Sequence, residues 1–319
     1  MREAGPWGHL HKPEIAGDVG RERPFANSPV WHLWGETMHT TRRARRVLAT
    51  VLTGAVIVAG SLFGGSAATA VPTTPPPASI AALGDSITQA LMTCSSLSGC
   101  PANSWSTGTA VSSHAARLAI PTTARFNLSK SGAKSIDLPG QATAAVTTGA
   151  QYVTIEIGAN DACTSTVGGM TDPNVFAASV STALATLAAS PAHPQIFVAA
   201  IPNLKTLYTV NAGNASARFT WSLLRVCQSM LAKPTSTALT DTARRDQVQA
   251  QVDLYNAALQ TACLATTNCH FAASVGGKDA FVRADISTRD YFHPSLAGQA
   301  TLARLAATDL GWKPFIVAG

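Results

Sequence analysis

The sequence predicts an α/β fold: a three-layer α/β/α sandwich with a central, mainly parallel five-stranded sheet. From residue 79 onwards, short apolar runs alternate with segments of helical periodicity, which is typical of parallel strands joined by helices. The chain is 46% hydrophobic and only 13% charged, and this composition excludes an intrinsically disordered protein. Internal repeats and a second linker are absent, so residues 79–319 are predicted to form one domain.

Five short apolar runs are predicted as strands: residues 80–83, 125–128, 152–157, 195–201 and 270–274. The helix with the strongest signals lies between the third and fourth strands. Asp172 is suited to cap it and Pro173 to occupy its first position. Its predicted apolar face consists of Phe176, Val180, Leu184 and Leu187. Two further helices are predicted, over residues 242–264 and after Ser295.

Residues 1–78 are predicted to lie outside the domain. A basic run at 40–46, an uncharged stretch at 47–63 and the triplet Ala68-Thr69-Ala70 follow the order of a secretory signal peptide, assigned to residues 38–70. Met38 directly precedes this signal, so residues 1–37 are interpreted as an over-long start. Residues 71–78 form a Pro-rich spacer. An uncleaved membrane anchor is the alternative, but polar and Gly residues interrupt the apolar stretch.

The basic character of the chain lies largely in this leader. The formal net charge is +6 for the whole chain, and removal of residues 1–70 leaves 15 basic and 12 acidic residues, a net charge of +3. The remaining basic residues are scattered and form no stripe. We therefore expect no nucleic-acid partner.

All six cysteines lie after the leader: Cys94, Cys100, Cys163, Cys227, Cys263 and Cys269. An even number of cysteines in an exported chain predicts disulfide bonds, although six cysteines allow 15 pairings. Two pairs are six residues apart and favour local bonds, Cys94-Cys100 and Cys263-Cys269, which leaves Cys163-Cys227. A zinc site is the alternative, but no C-x-x-C motif or clustered His accompanies these cysteines.

Polar residues follow the first three predicted strands. Ser86 follows the first strand within Gly-Asp-Ser, Gly132 follows the second, and Asn160 follows the third. Parallel strands place their carboxyl ends at one sheet edge, where open α/β sheets hold their sites. A serine there could act as a nucleophile, with the backbone N–H of Gly132 and the side-chain amide of Asn160 as donors to a developing oxyanion. Each motif alone is also an ordinary turn.

Near the C-terminus, Asp290 precedes His293 by three residues. At this spacing a carboxylate reaches the imidazole, fixes its tautomer and leaves the far nitrogen to take a serine proton. The alternative is a surface Asp-His pair ahead of a helix. Of the four His downstream of residue 70, only His293 has a carboxylate so placed.

Together these motifs resemble the four sequence blocks of the SGNH/GDSL hydrolases, and the resemblance covers residues 79–312. The blocks are Gly84-Asp85-Ser86, Gly132, Gly158-x-Asn160-Asp161 and Asp290-x-x-His293. The resemblance implies a flavodoxin-like sheet, Ser86 as nucleophile, His293 as base and Asp290 as its orienting residue. It also implies an oxyanion hole formed by the Ser86 N–H, the Gly132 N–H and the Asn160 amide. Structural support is expected from Gly84, Asp85, Gly158 and Asp161.

Finer motifs look like secreted actinobacterial GDSL lipases and esterases and the phospholipase B-like branch. They include residues 104–108 and 137–142. This likeness implies sequential pairing of the cysteines and catalysis without a metal or other cofactor. We expect a secreted, monomeric lipid acyl-ester hydrolase that meets its substrate transiently at a membrane or micelle surface, with the segment 202–241 shaping the acyl site.

Two other functions stay open. A carbohydrate O-acetyl esterase would use the same chemistry, but the three Trp downstream of residue 70 offer few sugar platforms. A non-catalytic surface-binding module would be expected to have lost part of the nucleophile, base or oxyanion set, and each of those residues is present.

Glu156 falls in an otherwise apolar strand. We expect it to play a structural role, accepting hydrogen bonds from Lys or backbone donors at the strand edge.

Overall fold

The computed structural model describes residues 75–95 and 97–309. The predicted over-long start, the signal peptide and residues 71–74 of the spacer lie outside the described residues. So do residues 310–319 of the predicted domain.

The sheet has five strands, and every neighbouring pair is parallel. They are β1 (Ile80–Gly84), β2 (Arg125–Asn127), β3 (Tyr152–Glu156), β4 (Gln195–Ala199) and β5 (Cys269–Ala272). The spatial order is β2-β1-β3-β4-β5, the flavodoxin-like order, which reverses between β1 and β3. All five predicted strands are confirmed, and the carboxyl ends of β1 and β3 are the expected place for a site.

The described residues form nine α-helices. They are α1 (His114–Arg117), α2 (Leu138–Thr148), α3 (Ala159–Ala162), α4 (Pro173–Ala188), α5 (Leu204–Asn211), α6 (Ala215–Leu224), α7 (Gln228–Leu231), α8 (Leu239–Leu264) and α9 (Leu296–Asp309). The three helices that the sequence predicts correspond to α4, α8 and α9. None of the described helices has the length and apolar character needed to cross a membrane.

Helices cover both faces of the sheet. On one face α4 packs between α2 and α8. On the other lie α9 and the β1–β2 connection, which meet where the Trp105 N–H donates to Gln299 Oε1 at 2.8 Å. The Trp105 ring packs on Phe197 of β4 with centroids 6.0 Å apart. These contacts confirm the three-layer α/β/α prediction.

Helix α4 shows how local signals and packing agree. The Asp172 side chain accepts from the Asn174 N–H at 2.8 Å and so caps the helix. The predicted apolar face is buried in the core. It consists of Phe176 and the three aliphatic residues that follow it at helical spacing. The same helix therefore forms from its cap, its Pro at the first position and its apolar stripe, as predicted.

Three disulfides join Cys94 to Cys100, Cys163 to Cys227, and Cys263 to Cys269. These are the pairs that the spacing favours and the family resemblance implies. The middle bond links the residue that ends α3 to the residue that precedes α7. It therefore ties the loop after β3 to the segment between β4 and β5.

Candidate active site

The turn after β1 holds Ser86 at the carboxyl edge of the sheet. Gly84 has φ +135°, and a Cβ added there would lie 2.0 Å from the Glu156 carbonyl oxygen of the neighbouring strand. Only glycine fits this close approach of β1 to β3. The turn is thus fixed by backbone packing, and Ser86 is 95% buried within it, with a relative exposure of 5%.

Gln141 of α2 clamps the same turn. Its Oε1 accepts from the Gly84 N–H at 2.7 Å, and its Nε2 donates to the Gly84 carbonyl at 2.9 Å. In the sequence, Gln141 stands out only as part of the 137–142 motif and has no predicted role. A buried Gln on a helix carries no local signal of its partner, so only the fold reveals this clamp.

Ser86, His293 and Asp290 form a hydrogen-bonded chain. His293 Nε2 lies 2.8 Å from Ser86 Oγ, and His293 Nδ1 hydrogen-bonds to Asp290 Oδ2. The structure thus brings together residues that are 207 positions apart, at the end of β1 and in the loop before α9.

The environment of Asp290 decides which ring nitrogen of His293 carries the proton. Burial alone would raise the pKa of Asp290, but the hydrogen bond and charge of His293, with backbone N–H donors, lower it below its ordinary value. Those donors are the N–H groups of Phe292 and His293, each 3.0 Å from Asp290 Oδ1. An ionised carboxylate requires a proton on Nδ1. Nε2 is therefore free to accept the proton of Ser86.

The loop that carries the Asp-His pair is held at several points. Ile286 and Pro294 form an antiparallel bridge across its base. Tyr291, at its tip, adopts φ +56°, a left-handed conformation that is costly for a non-glycine residue and persists only where surroundings fix it. Trp221 of α6 donates from Nε1 to the Tyr291 carbonyl at 3.2 Å. No signal in the sequence predicts that Trp221 supports this loop.

The three predicted oxyanion donors lie around this site. They differ in whether they already donate hydrogen bonds within the protein. The backbone N–H groups of Ser86 and Gly132 donate no hydrogen bond to any described residue. Gly132 has φ +78° and open space beside its Cα, so its backbone is unshielded. The Asn160 amide donates to the Ala133 carbonyl at 3.0 Å and approaches Asp85 Oδ2 at 3.3 Å.

The predicted supporting residues also lie around the site. Asp85 Oδ1 accepts from the Ile87 N–H at 2.8 Å and so stabilises the nucleophile turn. Asp161 accepts from the Ser135 N–H at 2.9 Å and from the Ser135 hydroxyl at 2.7 Å, which ties α3 to the loop carrying Gly132. Gly158 precedes α3 with φ +127°. Burial raises the pKa of Asp85 to about 7, with the nearby His293 acting in the opposite direction.

Glu156 does not make the hydrogen bonds that the sequence predicts. It is fully buried at the end of β3, beside Gly84 in the register, but neither carboxyl oxygen accepts a hydrogen bond from any described residue. The expected Lys or backbone donors are therefore not its partners. Burial, and then the charge of Asp85, raise the pKa of Glu156 well above its ordinary value, so the site favours the neutral form of this carboxyl.

Other candidate groups in the described residues do not join the site. His114 is buried beside the first residue of β3, at the other end of this strand from the site, where its Nδ1 lies 2.7 Å from the Tyr152 hydroxyl. Groups of three or more His, Cys, Asp or Glu side chains placed to hold a metal ion do not occur in the described part of the chain.

Comparison with known proteins gives a family and a set of structural likenesses. The solved structures include phospholipase A1 from Streptomyces albidoflavus NA297, with 16% identity, a TM-score of 0.46, and coverage of 73% of this chain and 99% of that chain. An extracellular lipase from Streptomyces rimosus has 15% identity, a TM-score of 0.44, and coverage of 72% and 99%. The Clostridium thermocellum family 3 carbohydrate esterase has 14% identity, a TM-score of 0.43, and coverage of 76% and 98%.

Comparison of the sequence with curated proteins found no match. The sequence model of the GDSL-like lipase/acylhydrolase family matches residues 82–301, which span the strands, the nucleophile turn and the Asp-His loop. The chain therefore belongs to the GDSL-like lipase/acylhydrolase family, a family of ester hydrolases.

Proposed function

We propose that this protein is a secreted serine hydrolase that cleaves acyl esters of lipids through a Ser86-His293-Asp290 triad. The single observation that carries the proposal is the hydrogen-bonded chain from Asp290 through His293 to Ser86 Oγ, with 2.8 Å between His293 Nε2 and Ser86 Oγ. This distance lies within the range for proton transfer between a nucleophile and its base.

The reaction takes place in two halves. Ser86 Oγ attacks the ester carbonyl carbon while His293 Nε2 takes the hydroxyl proton, and the ionised Asp290 stabilises the resulting imidazolium. Collapse of the tetrahedral intermediate breaks the ester bond, and the imidazolium gives its proton to the leaving alcohol. Water then attacks the acyl-Ser86 ester with His293 again acting as base, which releases the fatty acid and restores the serine.

The oxyanion of each tetrahedral intermediate is assigned to the N–H groups of Ser86 and Gly132 and the Asn160 amide. The two backbone donors have no partner among the described residues, so they are free to bind a developing negative charge. The Asn160 amide must weaken its 3.3 Å approach to Asp85 to contribute. Loss of one such donor costs about 2.7–4 kcal/mol of transition-state stabilisation.

The character of the aromatic residues favours a lipid substrate over an acetylated carbohydrate. The two described Trp residues, Trp105 and Trp221, are both buried, so neither presents a ring face to a sugar. Segment 202–241 instead contributes α6 beside the catalytic loop, where Trp221 contacts the Tyr291 carbonyl. An acyl-chain-length series on p-nitrophenyl esters distinguishes the two substrates, since we expect long acyl chains to be preferred over acetate.

Secretion, cleavage after residue 70 and a monomeric state belong to the same proposal. Three disulfides support an oxidising compartment. N-terminal sequencing of the protein from the culture medium tests the cleavage site. A mature chain that begins near residue 71 supports the export signal, and an uncut chain retained in the cell contradicts it.

The direct test is Ser86→Ala. We expect this variant to lose p-nitrophenyl ester hydrolysis while its thermal denaturation stays cooperative. Ser112→Ala, an exposed serine in the β1–β2 connection, is the matched control and keeps full activity. Retained hydrolysis by the Ser86→Ala variant would overturn the assignment, and a wild-type protein inactive on every ester would favour a non-catalytic binding module.

A further inference from the structure

Helix α6 presents an apolar outer side to solvent. Phe219 is 69% exposed and Leu223 is 66% exposed, and a spacing of four residues places them on the same side of the helix. Trp221, on the opposite side, is buried. A surface helix of a globular protein ordinarily has one apolar side, which faces the core. The second, exposed apolar side of α6 is therefore a candidate binding surface.

A cationic cavity lies next to this helix. It has a volume of about 220 Å³ and a mixed lining: Arg218 and Ser222 of α6, Gln228 and Lys233 are polar, and Leu231, Ala232 and Pro234 are apolar. The Arg218 guanidinium donates to the Ala212 carbonyl at 3.1 Å and pairs with no carboxylate in the described part of the chain. The Lys233 ammonium lies 3.8 Å from Asp241 but its side chain is 74% exposed. The cavity therefore combines the positive charge of Arg218 and Lys233 and the Ser222 hydroxyl with an apolar side, and the charged side is suited to a phosphate.

The stretch of sequence that contains α6 carries no acidic residue. Between Asp172 and Asp241 the chain contains no Asp or Glu. Arg225, the exposed residue that ends α6, has no carboxylate partner in the ranges that the structure describes. Apolar side chains flanked by unpaired arginines match the acyl and headgroup layers of an anionic phospholipid surface.

The inner side of α6 touches the catalytic loop. Trp221 donates from Nε1 to the carbonyl of Tyr291, the residue between Asp290 and Phe292. A lipid aggregate held against the outer side of α6 would thus lie one helix away from the Asp-His pair.

We propose that the exposed apolar residues of α6 (Phe219, Leu223 and Leu224), Arg225 directly after the helix and the adjoining cavity form a docking surface for anionic phospholipid aggregates. Phe219 and Leu223 enter the boundary between headgroups and acyl chains, and a lipid phosphate occupies the cavity beside Arg218. This proposal rests on the proposed function for its purpose, since docking brings the substrate to the catalytic loop.

The test measures vesicle binding separately from ester hydrolysis. Binding is measured by co-sedimentation in the inactive Ser86→Ala chain, with vesicles of phosphatidylcholine alone and of equal parts phosphatidylcholine and phosphatidylglycerol. The variants are Phe219→Ser with Leu223→Ser, and Arg225→Gln. Leu264→Ser is the matched control, because Leu264 is 78% exposed and lies about 30 Å along α8 from the end that contacts α7.

We expect preference for the anionic vesicles and a fall in their binding of about tenfold or more in the double variant, because two apolar side chains no longer leave water. Arg225→Gln reduces the preference, and Leu264→Ser changes nothing. In the active chain, hydrolysis of a water-soluble short-chain ester stays at the wild-type rate in every variant.

Equal binding by the double variant and Leu264→Ser would overturn the docking surface, and so would equal binding to both kinds of vesicle. If the cavity binds inorganic phosphate and an excess of anionic vesicles does not displace that phosphate, the cavity is assigned to a free anion. This result would also overturn the docking surface. If the wild-type chain does not hydrolyse the water-soluble ester, the proposed function is contradicted instead. Failure of the docking surface and failure of the proposed function are therefore distinguishable.

Discussion

Substitution of Asp290 by Asn isolates the role of its carboxylate charge. The Oδ1 atom accepts the N–H groups of Phe292 and His293 at 3.0 Å each, and an amide oxygen retains both bonds. The other position then carries an NH₂ group, which obliges His293 Nδ1 to accept and moves the ring proton to Nε2. The nitrogen facing Ser86 Oγ at 2.8 Å becomes a donor and can no longer act as a base.

The expected result is a fall in kcat of about 10⁴-fold, as for the corresponding change in other triads, or about 5.5 kcal/mol of barrier. Thermal denaturation should change little. Asp290→Ala serves as the comparison, because it also leaves two buried N–H groups unpaired at about 1–3 kcal/mol each and so lowers stability. Both variants are assayed on a soluble p-nitrophenyl ester. An Asp290→Asn enzyme within tenfold of the wild-type kcat would refute the tautomer argument.

Three further predictions concern stability. Burial raises the pKa of Glu156 well above its ordinary value of 4.5. The wild-type fold therefore loses stability as pH rises above that ordinary value, so Glu156→Gln should be more stable than the wild type near pH 8 and similar to it near pH 4. A pH-independent difference in Tm contradicts this. Replacement of Cys163 and Cys227, 64 residues apart, by Ser should cost about 4 kcal/mol in chemical denaturation, and a loss under 1 kcal/mol contradicts it. Gly158→Ala puts a Cβ 2.4 Å from the Ile201 side chain at a residue with φ +127°. We therefore expect the free energy of unfolding to fall by about 1–3 kcal/mol and the activity to decrease. An unchanged Tm contradicts this prediction.

The sequence predicts the strands and the site motifs because each has a local signal. The five strands are short apolar runs, and the site residues fall directly after three of them, where parallel topology brings them to one edge. The Asp290 and His293 spacing is also local. What joins the two halves of the site is the tertiary contact of His293 with Ser86, 207 residues away, which the family resemblance implies and no periodicity can show.

The elements that the sequence did not predict lack such signals. The buried side of helix α2 consists of Leu138, Gln141, Ala142 and Ala145, which is too small and too polar to give a clear apolar stripe. In α6, Trp221 is buried while Phe219 is exposed, so its apolar residues do not form one stripe. Gln141, which clamps Gly84 from both sides, is a polar residue whose importance depends on a partner 57 residues away.

Active-site labelling with a fluorophosphonate tests the central claim most directly, because the reagent forms a stable covalent bond only with an activated serine. Tandem mass spectrometry of the digested protein locates the adduct. We predict a single adduct on Ser86, abolished in His293→Ala and retained in Ser112→Ala. An adduct on another serine, or labelling of Ser86 that does not depend on His293, would contradict the assignment of Ser86 as a nucleophile activated by His293.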